Sequence, residues 1–253
     1  MTPAITVSGV TRRFAGSTQC AVDDVSLQVD RGELLALLGP SGAGKTTLLR
    51  LIAGFEMPDR GSISVGSRVV ASDTVNVPVE RRGIGFVFQH GALFPHLDVR
   101  RNIAFGLGHL GQVERRARVD EVARLAAIDH LLDRYEHELS GGERQRAALA
   151  RALARGNEIV LLDEPLSNVD RPLRLGIGTE LRQILRSAGV TAVMVTHDHQ
   201  EALALADRVA LLNRGRLEQL ATPDEIVAAP ATQFVADFLA ARHSPPRPAP
   251  GYP

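Results

Sequence analysis

A glycine-rich turn directly after a short apolar run constrains the fold of this 253-residue chain more than any other feature of its sequence. The run Leu34–Leu38 leads into the stretch LGPSGAGKTTLL. Four residues of that stretch have the spacing G-x-x-x-x-G-K-[ST], namely Gly39, Gly44, Lys45 and Thr46. This spacing predicts a phosphate-binding loop between a buried strand and a helix.

The residue types are those that binding a phosphate requires. Glycines allow a tight cradle whose backbone N–H groups point inward, and a helix beginning near Lys45 adds its positive dipole end. Lys45 can then reach the outer phosphates, and the Thr46 hydroxyl can ligate Mg2+. The alternative is a turn that only links a strand to a helix. A predicted helix over residues 45–53, with Gly54 at its C-terminal cap, favours the phosphate loop.

The rest of the pattern indicates an α/β fold. The stretches IVLLDEP and GVTAVMVTHD predict further buried strands, while AITVSGVTRRF, VSLQVD and GSISVGSRVV predict an antiparallel patch. Residues 95–155 have a helical pattern, clearest in RARVDEVARLAAIDHLL and ERQRAALARALAR. We predict one domain over residues 1–243, with a phosphate-loop NTPase core and a helical subdomain inserted at about 91–156. The stretch SPPRPAPGYP, residues 244–253, predicts a disordered, proline-rich tail.

Other polar residues stand where ligands of α/β sheets bind. Asp163 and Glu164 end a predicted buried strand, where an aspartate can hold Mg2+ and a glutamate can activate water; the alternative is an acidic turn. Ser140 opens LSGGERQR ahead of a helix, and a capping box with Glu143 explains part of that motif but not its paired glycines. His197 follows another strand and can contact a terminal phosphate or be structural.

The composition narrows the possible partners. There are 29 basic and 29 acidic side chains, so the chain has no overall basic field that would favour nucleic acid. Cys20 is the only cysteine, which fits a reducing compartment. The N-terminal stretch MTPAITVSGVTRRF has no apolar core of a signal peptide. No run approaches the roughly 18 apolar residues that span a bilayer, so we expect any membrane role to act through a partner.

The order of these motifs resembles the ATPase subunit of ATP-binding-cassette (ABC) transporters. The resemblance runs from about residue 4 to 240 through GPSGAGKTT, Gln89, LSGGERQR, IVLLDEP, Asp170 and His197. LSGGERQR separates this family from other phosphate-loop proteins. The segments ERRGIGFVFQHGALFPHLDVRRNIAFGL and THDHQEALALADRV look like the importer branch that serves ferric ions, polyamines, thiamine, sulfate and some sugars, most of all the ferric-ion type. The fold implied is a RecA-like parallel sheet.

The resemblance implies that the chain uses ATP and Mg2+. The residues that would hold the nucleotide phosphates are Gly39, Pro40, Ser41, Gly42, Ala43, Gly44, Lys45, Thr46 and Thr47. The residues that would hold or touch Mg2+ are Thr46, Gln89 and Asp163. Glu164 would be the general base and His197 would contact the γ-phosphate. Gln89 would also relay the nucleotide state to a permease.

The resemblance also implies a homodimer with its subunits head to tail. Ser140, Gly141 and Gly142 would act on ATP bound by the other subunit, and Asp170 would line the dimer seam. Phe14 would stack on adenine, although RRFAGSTQCAVDD offers no second aromatic. The seam loop reads SNVD, with Asn168 where the family usually has a small residue. Several relatives carry a C-terminal regulatory barrel, whereas this chain ends in the proline-rich stretch.

We therefore expect an importer ATPase at the cytoplasmic face of the membrane, bound to permease subunits and served indirectly by a substrate-binding protein. Part of an apolar set after Gln89 must pack the helical subdomain, and we predict that other members line a groove for a permease helix; a core role for all five is the alternative. The set is Leu93, Phe94, Leu97, Ile103 and Phe105. An exporter ATPase is an alternative, because the permease decides direction. A soluble ABC ATPase acting on nucleic acid or the ribosome is a second alternative, although only about 95 residues separate Lys45 from Ser140. A small-molecule kinase would leave LSGGERQR without a purpose.

Overall fold

The computed structural model describes residues 2–89 and 93–240. The predicted tail at 244–253 and the first residues of the predicted helical subdomain lie outside these ranges. The strands are β1 (Ile5–Arg12), β2 (Val22–Val29), β3 (Leu34–Leu38), β4 (Arg60–Val65), β5 (Arg68–Ala71), β6 (Ile84–Val87), β7 (Ile159–Asp163), β8 (Thr191–Val195), β9 (Arg208–Asn213) and β10 (Arg216–Ala221). The α-helices are α1 (Lys45–Ala53), α2 (Val99–Ala104), α3 (Gln112–Leu125), α4 (Gly141–Ala154), α5 (Arg174–Ser187), α6 (His199–Leu205), α7 (Pro223–Ala228) and α8 (Gln233–Ala240).

The larger of two sheets has the strand order β10-β9-β3-β8-β7-β6. Its strands pair in parallel except for the β9–β10 hairpin. Every residue of β3, β7 and β8 is buried, as expected for parallel strands covered on both faces. The second sheet is antiparallel with the order β2-β1-β4-β5. The predicted α/β fold with an antiparallel patch is therefore confirmed.

The parallel strands divide the core into two compartments. Along β3, Leu34, Ala36 and Leu38 pack with buried residues of helices α2 to α6. Leu35 and Leu37 pack with α1 and the antiparallel sheet on the other face. Side chains alternate along a strand, so each buried strand supplies both compartments. The phosphate-loop helix and the helical segment consequently lie on opposite faces of one sheet.

The helical segment between β6 and β7 differs from the sequence prediction in one place. The stretch RARVDEVARLAAIDHLL was predicted to be helical, but α3 ends at Leu125. Ala127 has a φ of 52°, and the N–H groups of Ala127 and Ile128 donate back to the carbonyls of Arg124 and Ala123. This is the hydrogen-bond pattern of a Schellman ending, which usually has glycine at the left-handed position. The turn carries Ile128 into the core, where it is fully buried.

Glycine at position 85 allows β6 to lie directly against α4. A Cβ built on Gly85 would be 2.7 Å from the backbone oxygen of Ala152. That distance is well inside van der Waals contact, and the neighbouring atom belongs to a helix backbone that cannot rotate away. A side chain at residue 85 would therefore push apart the strand that leads to Gln89 and the helix that begins at Gly141.

We predict that Gly85→Ala lowers the free energy of unfolding by about 1–3 kcal/mol, the usual cost of overpacking. Gly176→Ala is the control, because Gly176 lies in α5 with no atom within 4 Å of a built Cβ. Alanine there should be neutral or stabilising by up to about 1 kcal/mol. Urea unfolding of both variants measures the difference. Equal midpoints would show that β6 and α4 are not in tight contact.

Candidate functional site

The phosphate loop between β3 and α1 has a backbone that only glycine tolerates at two positions. Gly39 and Gly44 have φ values of 150° and 99°. A Cβ on Gly39 would lie 2.2 Å from the carbonyl oxygen of Leu212, and one on Gly44 would lie 2.1 Å from that of Ala21. The loop is thus enclosed by backbone from β9 and from the residue before β2. Gly44 stands immediately before the N-terminus of α1, where the helix dipole favours an anion.

The side chain of Lys45 is folded into this loop. It is only 6% exposed, and its Nζ donates to the carbonyl oxygens of Gly39 and Pro40 at 2.8 and 2.9 Å. Burial lowers the pKa of the ammonium group, while the carboxylates of Glu164 and Asp163 act in the opposite direction. Neutral carbonyls are weak partners for a buried cation, so a phosphate anion entering the loop would be a stronger one.

A cavity of about 390 Å3 opens beside Lys45, a size within the usual range for small-ligand sites. The residues that line it are Ala21, Ser41, Gly42, Ala43, Gly44, Lys45, Thr46, Thr47 and Glu164. The loop from Ser41 to Thr47 therefore faces the cavity together with the carboxylate that follows β7. Ala21 is the one lining residue that sequence reasoning missed. No side-chain signal could have shown it, because its backbone carbonyl makes the contact to the loop.

Two side chains that carry oxygen atoms, Thr46 and Asp163, meet at the start of α1. The Thr46 hydroxyl donates to Asp163 Oδ1 at 3.0 Å. Burial raises the pKa of the Asp163 carboxyl, and the bond from Thr46 opposes that rise. Within residues 2–89 and 93–240 no three His, Cys, Asp or Glu side chains cluster as a metal site. A hydroxyl and one carboxylate beside a phosphate cradle nevertheless fit Mg2+, which takes few protein ligands and completes its shell with phosphate and water.

Glu164 follows β7 and contacts residues at the carboxyl ends of β6 and β8. Its Oε2 accepts a hydrogen bond from Gln89 Nε2 at 3.2 Å and lies 3.4 Å from His197 Nδ1. Its own N–H donates to Val195 O at the end of β8. The backbone of Glu164 is left-handed, with a φ of 46°, a conformation that costs energy in a residue with a side chain and often marks functional sites. The structure therefore brings Gln89, Glu164 and His197 together beside the phosphate cavity.

The remaining predicted nucleotide residues do not line this cavity. Ser140 caps α4: its hydroxyl accepts from Glu143 N at 3.4 Å, and Glu143 Oε2 accepts from Ser140 N at 2.7 Å. The predicted capping box is thus present, and none of Ser140, Gly141 and Gly142 lines the phosphate cavity of its own chain. Asp170 is exposed and precedes a short 3-10 turn.

Phe14 also lies outside the cavity lining. Its ring is 39% exposed and lies 5.1 Å from the guanidinium carbon of Arg12. Arg12 is itself held by ion pairs to Glu56 and Asp59, at 3.0 Å each. This support holds the ring in place from the Arg12 side, so Phe14 remains a candidate for stacking on a base.

Only some side chains of the apolar set proposed for a permease contact are exposed to solvent. Leu93 and Ile103 are buried in the core, so they are the members of the set that pack within the protein. Phe94 and Leu97 are half-buried, and Phe105 is 63% exposed with its ring 4.4 Å from that of Phe94.

A second group of aromatic side chains was not predicted from the sequence. The rings of Phe55, Phe86 and Phe88 contact one another at centroid distances of 4.5–5.8 Å, and Phe55 and Phe88 are exposed. The tertiary fold brings Phe55 into contact with the other two rings, so no local sequence pattern could predict the cluster. Aromatic residues therefore stand on both sides of Gln89 along the chain.

Comparison with known proteins agrees with this geometry. A family model described as ABC transporter matches residues 22–167. The chain is 50% identical over 243 residues to the sulfate/thiosulfate import ATP-binding protein CysA of Xanthomonas campestris pv. campestris, covering 94% of this chain and 69% of that protein. It is 45% identical over 239 residues to the Fe(3+) ions import ATP-binding protein FbpC 2 of Haemophilus influenzae, covering 94% and 67%. These relatives are longer than this chain.

A solved structure is similar as well. It is a dimeric ATP-binding cassette in a post-hydrolysis state bound to ADP and Pi, and it superposes with a TM-score of 0.74 at 29% identity. The alignment covers 87% of this chain and 98% of that one. The fold is therefore shared with a nucleotide-bound relative over almost the whole length of that relative.

Proposed function

The chain belongs to the ABC transporter family, and on that premise we propose that it is the ATP-binding and ATP-hydrolysing subunit of an importer. The observation that carries the proposal is the position of the Glu164 carboxylate. It lines the phosphate cavity with Lys45 and contacts both Gln89 and His197. A carboxylate held at the open end of a phosphate cradle can orient a water molecule and take its proton.

The other residues of the site divide the work of hydrolysis. Lys45 and the loop N–H groups would bind and neutralise the phosphates, and Thr46 and Asp163 would hold Mg2+. When bound, Mg2+ would neutralise the negative charge that develops on the phosphate oxygens. His197 would donate to the γ-phosphate, and Gln89 would report whether that phosphate is present. Each role follows from the residue's chemistry and from its place around Glu164.

We predict that Glu164→Gln lowers ATP hydrolysis about 100-fold or more, because glutamine keeps the shape of the side chain but cannot accept a proton. ATP binding should persist. Glu158→Gln is the control, since Glu158 is an exposed carboxylate next to the opposite end of β7. Steady-state hydrolysis and the affinity for a fluorescent ATP analogue are the measurements. Hydrolysis by Glu164→Gln within a few-fold of wild type would remove Glu164 from the role of base.

A head-to-tail homodimer gives the α4 N-terminus a purpose. Ser140 is exposed and Gly141 and Gly142 are not cavity residues within their own chain. A helix N-terminus with two glycines binds an anion readily. In a dimer with opposed subunits, the phosphate loop of one chain and the α4 N-terminus of the other would face the same ATP, with Asp170 at the seam. The dimeric state of the solved relative supports this arrangement.

We predict that Ser140→Arg abolishes hydrolysis while nucleotide binding stays nearly intact. Thr222→Arg is the control, because Thr222 heads the equivalent capping box of α7 with Glu225 and its replacement has the same capping cost of about 1 kcal/mol. Mixing Ser140→Arg with Lys45→Ala chains should restore one composite site per mixed dimer. If the mixture is as inactive as each variant alone, the site is not shared between chains.

The partner of this ATPase is proposed to be a pair of permease subunits. None of the helices within the described ranges has the length and apolar character that crossing a membrane requires. We propose that the chain acts at the cytoplasmic face of the membrane, held there by the permease and supplied indirectly by a substrate-binding protein. The aromatic side chains on either side of Gln89 offer a contact surface next to the residue that senses nucleotide.

The cargo is proposed from the relatives. Ferric ion is supported by the FbpC 2 protein at 45% identity, and sulfate or thiosulfate by the CysA proteins of Xanthomonas campestris at 50% and Synechococcus elongatus at 51%. Both candidates are inorganic ions that the ATPase itself does not touch. Selection between them therefore belongs to the permease and the binding protein.

We predict that Phe105→Ser and Phe88→Ser, made one at a time, leave basal ATPase activity intact and weaken capture of the permease at least tenfold. Exposed aromatic anchors are the usual hot spots of such interfaces. Val227→Ser is the control, since Val227 is 57% exposed on α7, away from both aromatic groups in the chain. Copurification with the permease subunits measures the effect. Capture at wild-type strength by both phenylalanine variants would place the contact elsewhere.

A further inference from the structure

Asn168 contacts the residue just before the helical segment between β6 and β7, and it lies close to the start of the last α-helix of that segment, α4. Its Nδ2 donates to the backbone oxygen of Gln89 at 3.0 Å, just before the segment begins. Its own backbone oxygen lies at the start of α4, where a Cβ built on Gly141 would be 3.2 Å away. Asn168 therefore lies close both to the point where the chain leaves the parallel sheet and to the N-terminus of the helix that leads back to it.

Gln89 is consequently held twice by the same turn of chain. Its side-chain amide donates to Glu164 Oε2 at 3.2 Å, and its main-chain oxygen accepts from Asn168. Glu164 and Asn168 are four residues apart in sequence. The two bonds fix both the backbone and the side chain of Gln89 against the turn that carries the Glu164 carboxylate.

The turn itself is firmly anchored. Ser167 N donates to Glu164 O, and Val169 N donates to Leu166 O, both at 3.1 Å. Leu166 and Val169 are buried on either side of the exposed Asn168. Arg174 Nε donates to Val169 O at 2.9 Å, tying the end of the turn to α5. An amide presented from such a rigid turn restrains its partner rather than following it.

We propose that Asn168 is a positioning residue that holds Gln89 against Glu164 and sets the helical segment relative to the parallel sheet. A small apolar residue at position 168 could not donate to the Gln89 carbonyl. The part of the proposal that concerns hydrolysis rests on the proposed function. The restraint on Gln89 does not, because it is a property of the chain without nucleotide.

The restraint is tested by hydrogen–deuterium exchange of nucleotide-free protein, in the peptide from Phe88 to Val99. Asn168→Ala and Asn168→Asp both remove the donor, and the second keeps the shape of the side chain. Exchange in this peptide should speed up about fivefold or more, because at least one ordinary hydrogen bond is lost. Asn157→Asp is the matched control, since Asn157 Nδ2 donates to Ala152 O at 3.2 Å near the opposite edge of the sheet. It should leave the Phe88–Val99 peptide unchanged.

The positioning role is tested by steady-state kinetics on the same variants. We expect kcat for ATP to fall about threefold to tenfold while KM stays within twofold, because Asn168 is not among the residues that line the phosphate cavity. Asn168→Gln, which keeps an amide donor, should recover part of kcat.

Exchange at the wild-type rate in both donor-free variants would overturn the restraint. Faster exchange with unchanged kcat would overturn the positioning role. A wild-type chain without ATPase activity would contradict the proposed function while exchange still decides the restraint.

Discussion

The buried ammonium of Lys45 is the group around which the rest of the structure is arranged. A lysine loses hydration when it is folded into a loop, and here only two backbone carbonyls replace the lost water directly. The carboxylates of Asp163 and Glu164 offset part of that cost from the end of β7. They can do so because β7 is a buried parallel strand whose carboxyl end meets the phosphate loop at one edge of the sheet. The fold thus keeps a positive charge undersatisfied where a polyanion would complete it.

Glu164 turns this binding arrangement into one that can perform chemistry. Its left-handed backbone is stabilised by neighbours on both sides, since its N–H is bonded to β8 and its carbonyl accepts from Ser167. The carboxylate then meets Gln89 from β6 and His197 from β8. Three loops with different partners elsewhere in the molecule therefore converge on a single carboxylate.

The sequence predicted those parts of the molecule in which local chemistry allows one solution. Gly39 and Gly44 could be assigned because a phosphate cradle needs left-handed backbone, and Asp163 and Glu164 because a short apolar run ends at them. The end of α3 could not be predicted, because the residue with left-handed backbone there is Ala127 and not a glycine. Local reasoning could not decide which members of the apolar set after Gln89 are buried, nor could it predict the cluster around Phe55 or the bond from Asn168 to Gln89. Each depends on residues distant in sequence, which no periodicity records.

The alternation of side chains along the parallel strands has a consequence for how such a chain can evolve. Leu37 and Leu38 are neighbours in β3 but belong to different sides of the sheet, one facing the phosphate-loop helix and the other the helical segment. Inserting or deleting a single residue in that strand would exchange the two sides for every residue beyond it. Point substitutions of similar volume are felt on one side only. The buried strands of this sheet can therefore tolerate amino-acid substitutions during evolution but not insertions or deletions. Changes in chain length are confined to the connections between strands.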